Sequence, residues 1–284
     1  MASMRDIKHR KESIQSTEQI TKAMKLVSTV KLQKSRAKAE ESKPYYDLMY
    51  DTICSMLRKS GNIEHKYLKS GASKTKAVIA ITSNHGLAGG YNNNIVKLVT
   101  GTEGLGPENT VIYAIGRKGR DAFVRKGYKI AEDYSEVINE PMYRDAYDVT
   151  AELLDAFGQN TIGEIYLAYT SFKNTVTHIP TLKKLLPVEM GEGNEKTDLV
   201  LMNYEPDEDQ VLDSIIPKYM SSLIYGALLE AVASENGARM TAMDSATNNA
   251  EEMIEELGLA YNRARQGSIT QELTEIIAGA NAIS

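Results

Sequence analysis

An α/β domain inserted between two long terminal helices that pair as an antiparallel coiled coil is the fold this sequence predicts. Three observations carry the expectation. Residues 218–284 contain no proline and repeat apolar residues at heptad-like spacing, so at ~1.5 Å per residue they would form a helix on the order of 100 Å long. That is several times the average globular helix. The stretch from Met4 to Leu57 is also helical in pattern, and it alone is long enough to lie against the first. Charge supplies the third observation. Between Met1 and Lys43 eleven Lys or Arg face five Asp or Glu, whereas from Asp207 to Ser284 four basic residues face thirteen acidic ones. The overall net charge of -5 conceals two opposed ends, and opposite charge on flanking positions favours their lying together.

The seam expected between them is apolar, with Ile7, Ile14, Ile20, Met24 and Val27 on one side. Leu223, Ile224, Leu228, Val232, Met240, Met243, Ile254 and Leu257 would lie opposite. Between the helical ends the pattern changes to short β-branched runs punctuated by glycine and alternating with helical stretches, which is the α/β signature. Strands are predicted at Lys76–Thr82, Thr110–Ile115, Glu164–Thr170, Thr181–Leu186 and Asp198–Tyr204. Helices are predicted at about Asn93–Val99, Lys118–Lys126 and Arg144–Phe157, the second closed by Gly127, a residue common just past helix ends. The coiled coil is assigned to residues 1–58 and 207–284, and a Rossmann-like α/β domain to 72–206. The polar run Lys69–Lys74 marks the upstream boundary and Glu205-Pro206-Asp207 the downstream one.

Composition removes several function classes. A hydrophobic content of 42% suits a folded core, and no window approaches eighteen apolar residues. The start Met-Ala-Ser-Met-Arg-Asp lacks the apolar stretch of a secretory signal. Cys54 is the single cysteine, which excludes an intrachain disulfide. His9, His65, His85 and His178 show no ligand spacing, so neither a metal nor another cofactor is expected.

The glycine-rich turn Ser83–Asn92 follows a strand and precedes a helix, where a phosphate sits in doubly wound folds. Its spacing is neither GxGxxG nor GxxxxGK[ST], so a structural βα turn is expected. His85 in that turn has no nucleophile or carboxylate visibly paired with it. Ten basic residues between Arg5 and Lys38 could suggest nucleic acid, but the first aromatic is Tyr45, and stacking needs interleaved rings. Protein partners are favoured. The last turns, Asn262 to Glu272, keep polar groups able to make specific hydrogen bonds where little remains for the helix to pair with.

These residues closely resemble the gamma subunit of the rotary ATP synthase. The N-terminal match includes Ser13-Ile14, Gln19 to Met24, Val27-Ser28 and Lys31-Leu32. The C-terminal match includes Ala233-Ser234-Glu235, Ala238-Arg239-Met240, Ala264-Arg265-Gln266, Ile269-Thr270 and Glu272-Leu273. Gly86 to Asn92, Gly116-Arg117-Lys118-Gly119 and Leu185-Leu186-Pro187 extend it through the middle. The resemblance implies a non-catalytic rotor, a central shaft passing through a ring of alpha and beta subunits and coupling ion flow through the c-ring to ATP synthesis or hydrolysis on beta. It implies epsilon as a further partner, no transmembrane segment, and a peripheral place on the cytoplasmic face of the cell membrane. Residue by residue, Met24 and Arg239 match positions near a beta loop. Arg265, Gln266, Thr270 and Glu272 match the polar catch higher in the ring, and Tyr204 and Glu205 the foot near epsilon and the c-ring. Three positions depart from the usual pattern: Lys11 replaces an apolar residue, Gly267 an alanine, and Asn84-His85 an acidic and a basic residue. Two other classes compete: a coiled-coil adaptor, which leaves the polar C-terminal residues unexplained, and a nucleotide-binding enzyme, which lacks a phosphate loop.

Overall fold

The computed structural model describes residues 4–59, 65–175, 177–188 and 208–283. Helix α1 spans Met4–Lys59 and helix α5 spans Glu208–Ile283. Between them come β1 (Lys76–Ile81), α2 (Tyr91–Gly101), β2 (Thr110–Ile115), α3 (Arg117–Arg125), β3 (Lys129–Asp133), α4 (Tyr143–Gly158), β4 (Glu164–Phe172) and β5 (His178–Leu186). The chain divides into two compact units, Met1–Ser28 with Met240–Ser284, and Thr29–Arg239.

In the first unit the two helix segments pair antiparallel. A covered series runs along α1 through Ile7, Lys11, Ile14, Glu18, Thr21, Lys25 and Ser28, with Met24 half-buried beside it, and along α5 through Met243, Thr247, Ala250, Ile254, Leu257, Tyr261, Ala264 and Ser268, flanked by the half-buried Ala242, Asp244, Ala246 and Gly258. Both series advance by alternating steps of four and three, the average of 3.5 that keeps a coiled-coil seam facing its partner. The expected apolar seam is therefore corrected on the α1 side. Ile20 and Val27 are 57% and 56% exposed, because each lies one residue, about 100° of helix rotation, before the seam positions Thr21 and Ser28. In their place the Thr21 and Thr247 hydroxyls meet at 2.8 Å in a buried hydrogen bond. Lys25 reaches Asp244 at 2.5 Å and Lys22 reaches Glu251 at 3.8 Å, so the basic face of α1 does meet the acidic face of α5. At this exposure each pair is worth about 0–1 kcal/mol. Lys11 is accommodated at its seam position beside Gly258, its Nζ 3.6 Å from where a Cβ on that glycine would sit.

The second unit is built on a five-stranded sheet of order β3-β2-β1-β4-β5. β1 to β4 are parallel and β5 closes one edge antiparallel to β4. Both faces of the sheet are covered, as a parallel sheet requires. Along β1, Val78 and Ala80 join the core under α2 and α3 with Ile95, Val99 and Phe123. Ala77, Ile79 and Ile81 point the other way, into a core with Leu153 and Val149 of α4, Ile53 of α1, and Ile216, Met220, Ile224 and Leu228 of α5. Ile224 and Leu228, expected in a two-helix seam, thus lie in the core that the sheet and α4 share. α5 is buried almost all round from Tyr219 to Gly237, the mark of a helix with packing partners on several sides.

Four predicted strands and three predicted helices lie within a few residues of their expected places. β3 was missed because Lys129–Asp133 carries three charges and buries none of its side chains fully. The strand predicted at Asp198–Tyr204 lies outside the described residues. Gly127 has φ 84°, the left-handed conformation expected past α3.

The end of β1 touches the start of α3 with no room for a side chain between them. Thr82 Oγ1 accepts the Gly119 backbone N–H at 3.0 Å and lies 3.1 Å from the Gly116 carbonyl, to which it can donate. A Cβ on Gly119 would stand 2.5 Å from that oxygen. Gly119→Ala is therefore expected to destabilise the protein by about 2 kcal/mol, within the range for overpacked sites. Gly101→Ala, at a helix end with nothing within 4 Å, should be neutral or slightly stabilising. Chemical denaturation followed by circular dichroism checks the pair, and equal stability of the two variants would contradict this packing account.

Candidate functional site

In an open parallel sheet a ligand sits outside the strand C-termini where the strand order reverses, which here is between β1 and β4. That crevice is occupied by the chain's own α5. Glu230 accepts hydrogen bonds from the Ser171 hydroxyl at 2.7 Å and the Phe172 N–H at 3.1 Å, at the end of β4. Ser234 donates to the Thr170 carbonyl at 3.1 Å, and Tyr91, at the start of α2, donates to the Ala231 carbonyl at 3.1 Å.

The glycine-rich turn after β1 is closed upon itself. Asn92 Oδ1 accepts the Ser83 N–H at 2.9 Å, and Ser83 Oγ donates to the His85 carbonyl at 2.6 Å. Leu87 and Gly89 take left-handed conformations to make the bend. The turn presents carbonyl oxygens outward: those of His85 and Gly86 lie 3.5 and 3.4 Å from an Arg239 guanidinium nitrogen. A phosphate loop presents N–H groups instead.

Arg239 also pairs with Glu235, one helical turn earlier, at 2.8 Å, with only 12% and 11% of the two side chains exposed. Burial pushes the Glu235 carboxyl above its ordinary value, against the opposing pull of Arg239. Burial likewise pushes the neighbouring Tyr91 hydroxyl well up, and Glu235 adds to that. This node fastens α5 to the β1–α2 turn by charge and hydrogen bonds.

The other predicted residues lie apart from it. Met24 is half-buried beside the seam of the first unit. Arg265, Gln266, Thr270 and Glu272 are all exposed on α5, where the Thr270 hydroxyl donates to the Gln266 carbonyl at 2.9 Å. Covered positions on α5 end at Ser268, and every residue from Ile269 to Asn281 is exposed. Within that stretch Ile269, Leu273, Ile276 and Ile277 form a stripe with spacings of four, three and one, the apolar face of an amphipathic helix lacking a partner among the described residues. An exposed apolar stripe of this kind marks an interaction site. Tyr204 and Glu205 lie outside the described residues.

A family profile described as ATP synthase matches residues 3–283. An ATP synthase gamma chain from Lachnoclostridium phytofermentans is 67% identical over 292 residues, covering 100% of both chains. The chain belongs to the ATP synthase gamma chain family. A sodium ion specific ATP synthase gamma chain from Acetobacterium woodii is 41% identical, with 99% of each chain covered. Among solved structures, a chain of the Euglena gracilis mitochondrial ATP synthase aligns with a TM-score of 0.68 at 18% identity, over 99% of this chain and 94% of that one. A chain from the central stalk and c-ring of the Tetrahymena thermophila enzyme aligns with a TM-score of 0.58, over 80% and 99% respectively. These structural likenesses reinforce the fold.

Two groups of residues were not anticipated from sequence. Glu230, Ser234 and Tyr91 read as ordinary helix residues until the sheet order brings β4 and α2 to α5. Ile20 and Val27 of α1, each more than half exposed, read as seam positions because their spacing is also helical. Counting the heptad from Ile7 and Ile14 would have excluded Ile20 and Val27 from the seam.

Removing the arginine isolates a buried carboxylate. Arg239→Ala is expected to cost about 3–5 kcal/mol at neutral pH, the scale for breaking a buried pair from one side. The Glu235 pKa, already raised in the folded state, would rise further. A raised carboxyl contributes stability below its unfolded value, about 4.3, and loses it as pH rises through the folded value. The deficit of the variant should therefore shrink as pH falls toward ~4.5 and be largest above neutrality. Thermal melts of both proteins across that range check it, and a pH-independent deficit would mean Glu235 does not carry the effect.

Proposed function

We infer that the chain is the central rotor shaft of an F-type ATP synthase, turning within a ring of alpha and beta subunits and standing on the c-ring, with epsilon at its foot. The observation that carries this reading is the end of α5. A helix with thirteen consecutive exposed residues beyond its last covered position, an apolar stripe among them, and the polar group Arg265, Gln266, Thr270 and Glu272 exposed, has the form of an axle tip awaiting a bearing. The full-length 67% identity to an ATP synthase gamma chain supports it. In this reading the chain performs no bond chemistry. The occupation of the sheet's ligand crevice by Glu230 and Ser234 of α5 speaks against a nucleotide-binding enzyme. Among the described residues no helix is long and apolar enough to cross a membrane, which fits attachment through partners at the cytoplasmic face of the cell membrane.

Met24 and Arg239 are assigned to contacts with beta, and Arg265, Gln266, Thr270 and Glu272 to the catch around the tip. Tyr204 and Glu205 are assigned to the foot. Each elementary charge crossing 100 mV releases about 2.3 kcal/mol, and several charges act per ATP. A charge-assisted hydrogen bond is worth about 1.5–3 kcal/mol, too little to carry the torque and enough to set one rotational dwell.

Arg265→Ala combined with Gln266→Ala should accordingly leave assembly and most torque intact while changing dwell times about tenfold, the equivalent of ~1.4 kcal/mol. Single-molecule rotation of the assembled enzyme measures this. Unaltered dwells would remove these two residues from the catch, and failure of the chain to co-purify with ATP synthase subunits would overturn the rotor reading itself.

Hydrogen exchange gives a second check on the tip. Amides from Ile269 to Asn281 should exchange fast in the free subunit and slow markedly on assembly, since long helices draw most of their stability from packing. Equal protection in both states would contradict a bearing around this segment.

A further inference from the structure

Beside the Glu235–Arg239 node, the second unit holds a cleft of ≈ 410 Å³ whose walls come from α1, the β1–α2 turn, the segment before α4, and α5. Its volume lies in the range of small-molecule sites, and α1 gives it an unusual wall. Lys31, Lys34 and Lys38 all line it, and their spacing of three and four places them on one face of the helix, spanning about 10 Å along its axis. None of the three has an ion-pair partner among the described residues, whereas Arg36, pointing elsewhere on the same helix, is paired with Glu40 at 2.7 Å. The acidic groups lining the cleft are Glu235, which pairs with Arg239 and also feels the charge of Lys31, and Glu140. The neutral amides are largely spent internally. Asn84 Nδ2 donates to the Ser135 carbonyl and to Asn139 Oδ1, and Asn236 Nδ2 to the Val232 carbonyl. What remains facing the space is a row of ammonium groups, three rotatable donors each, with cationic excess.

We propose that this cleft binds a small phosphorylated anion, a pyrophosphate or the diphosphate of a nucleotide, held by Lys31, Lys34 and Lys38. The concavity and the short span of the lysine row favour a compact polyanion over an extended acidic peptide, which would need a longer track. The site is separate from the crevice at the ends of β1 and β4, and its donors are side chains of α1 in place of loop amides. It does not depend on the rotor reading.

Isothermal titration calorimetry of the full-length chain with inorganic pyrophosphate tests this. Saturable binding at micromolar to millimolar concentration is expected, weakening as salt rises because exposed charges are screened. Lys34→Gln with Lys38→Gln should lower affinity at least tenfold, and Lys34→Arg with Lys38→Arg should retain it. Lys8→Gln with Lys22→Gln, neither of which lines the cleft, should bind as the parent does, with circular dichroism confirming that each variant is folded. Tighter binding of ADP than of pyrophosphate would assign the diphosphate to a nucleotide, and equal affinity to the inorganic anion. No saturable binding of either, or parental affinity in the Lys34→Gln, Lys38→Gln protein, overturns the proposal. So does a hexaglutamate peptide that binds more tightly than both, since the cleft would then be a protein-docking surface.

Discussion

Everything in the second unit is arranged around the burial of α5 from Tyr219 to Gly237. A helix covered on nearly every side must be apolar or small at most positions and must satisfy each polar side chain it carries, since an unpaired buried group costs about 1–3 kcal/mol. Its sequence follows that requirement. Ala227, Ala231 and Ala233 admit close neighbours, Ile224 and Leu228 fill the core, and Glu230 and Ser234 are spent on the end of β4. The position that serves ligands in related architectures thereby becomes a joint. An α/β domain whose crevice is filled by a covalently continuous helix is fastened to that helix at the same place.

Charge has two different roles in the chain. In the first unit Lys22, Lys25, Asp244 and Glu251 are well exposed and contribute mainly to which faces meet. In the second unit Glu235 and Arg239 are mostly buried, so their pairing is a local commitment: losing either partner leaves a charge in a poorly solvated place. The carbonyls of His85 and Gly86 share the guanidinium with Glu235. The resemblance attributes Arg239 to contact with a partner, and the structure adds an intrachain role for the same side chain.

Much of the fold was legible because its signals are periodic. KAVIAI and TVIYAI are β-branched runs of strand length with both faces buried, and the proline-free stretch after Pro217 leaves little alternative to one helix. β3 escaped because an edge strand can be charged and exposed and still complete a ladder. The α1 seam was misread because Ile20 and Val27 satisfy helical spacing as well as Thr21 and Ser28 do; only a partner helix decides which stripe is covered, and here hydroxyls won. The functional residues fared differently. Arg265, Gln266, Thr270 and Glu272 were conspicuous as polar groups at an end with little to pair with, and they are exposed there. The contacts of Glu230 and Tyr91 depend on sheet order, which no local pattern encodes.

The hydroxyl pair of Thr21 and Thr247 has a consequence for how the two helices are indexed. In a seam of apolar residues, sliding one strand by a heptad replaces hydrocarbon with hydrocarbon and changes little. Here a shift of seven residues would set Thr21 opposite Met240 or Ile254, break the 2.8 Å bond and separate Lys25 from Asp244. The bond alone is worth about 0.5–1.5 kcal/mol, up to roughly tenfold in population. Polar seam positions are known to fix register at some expense of stability. A two-stranded coiled coil tolerates bending far better than axial slippage, and these threonines weight the pair toward one register.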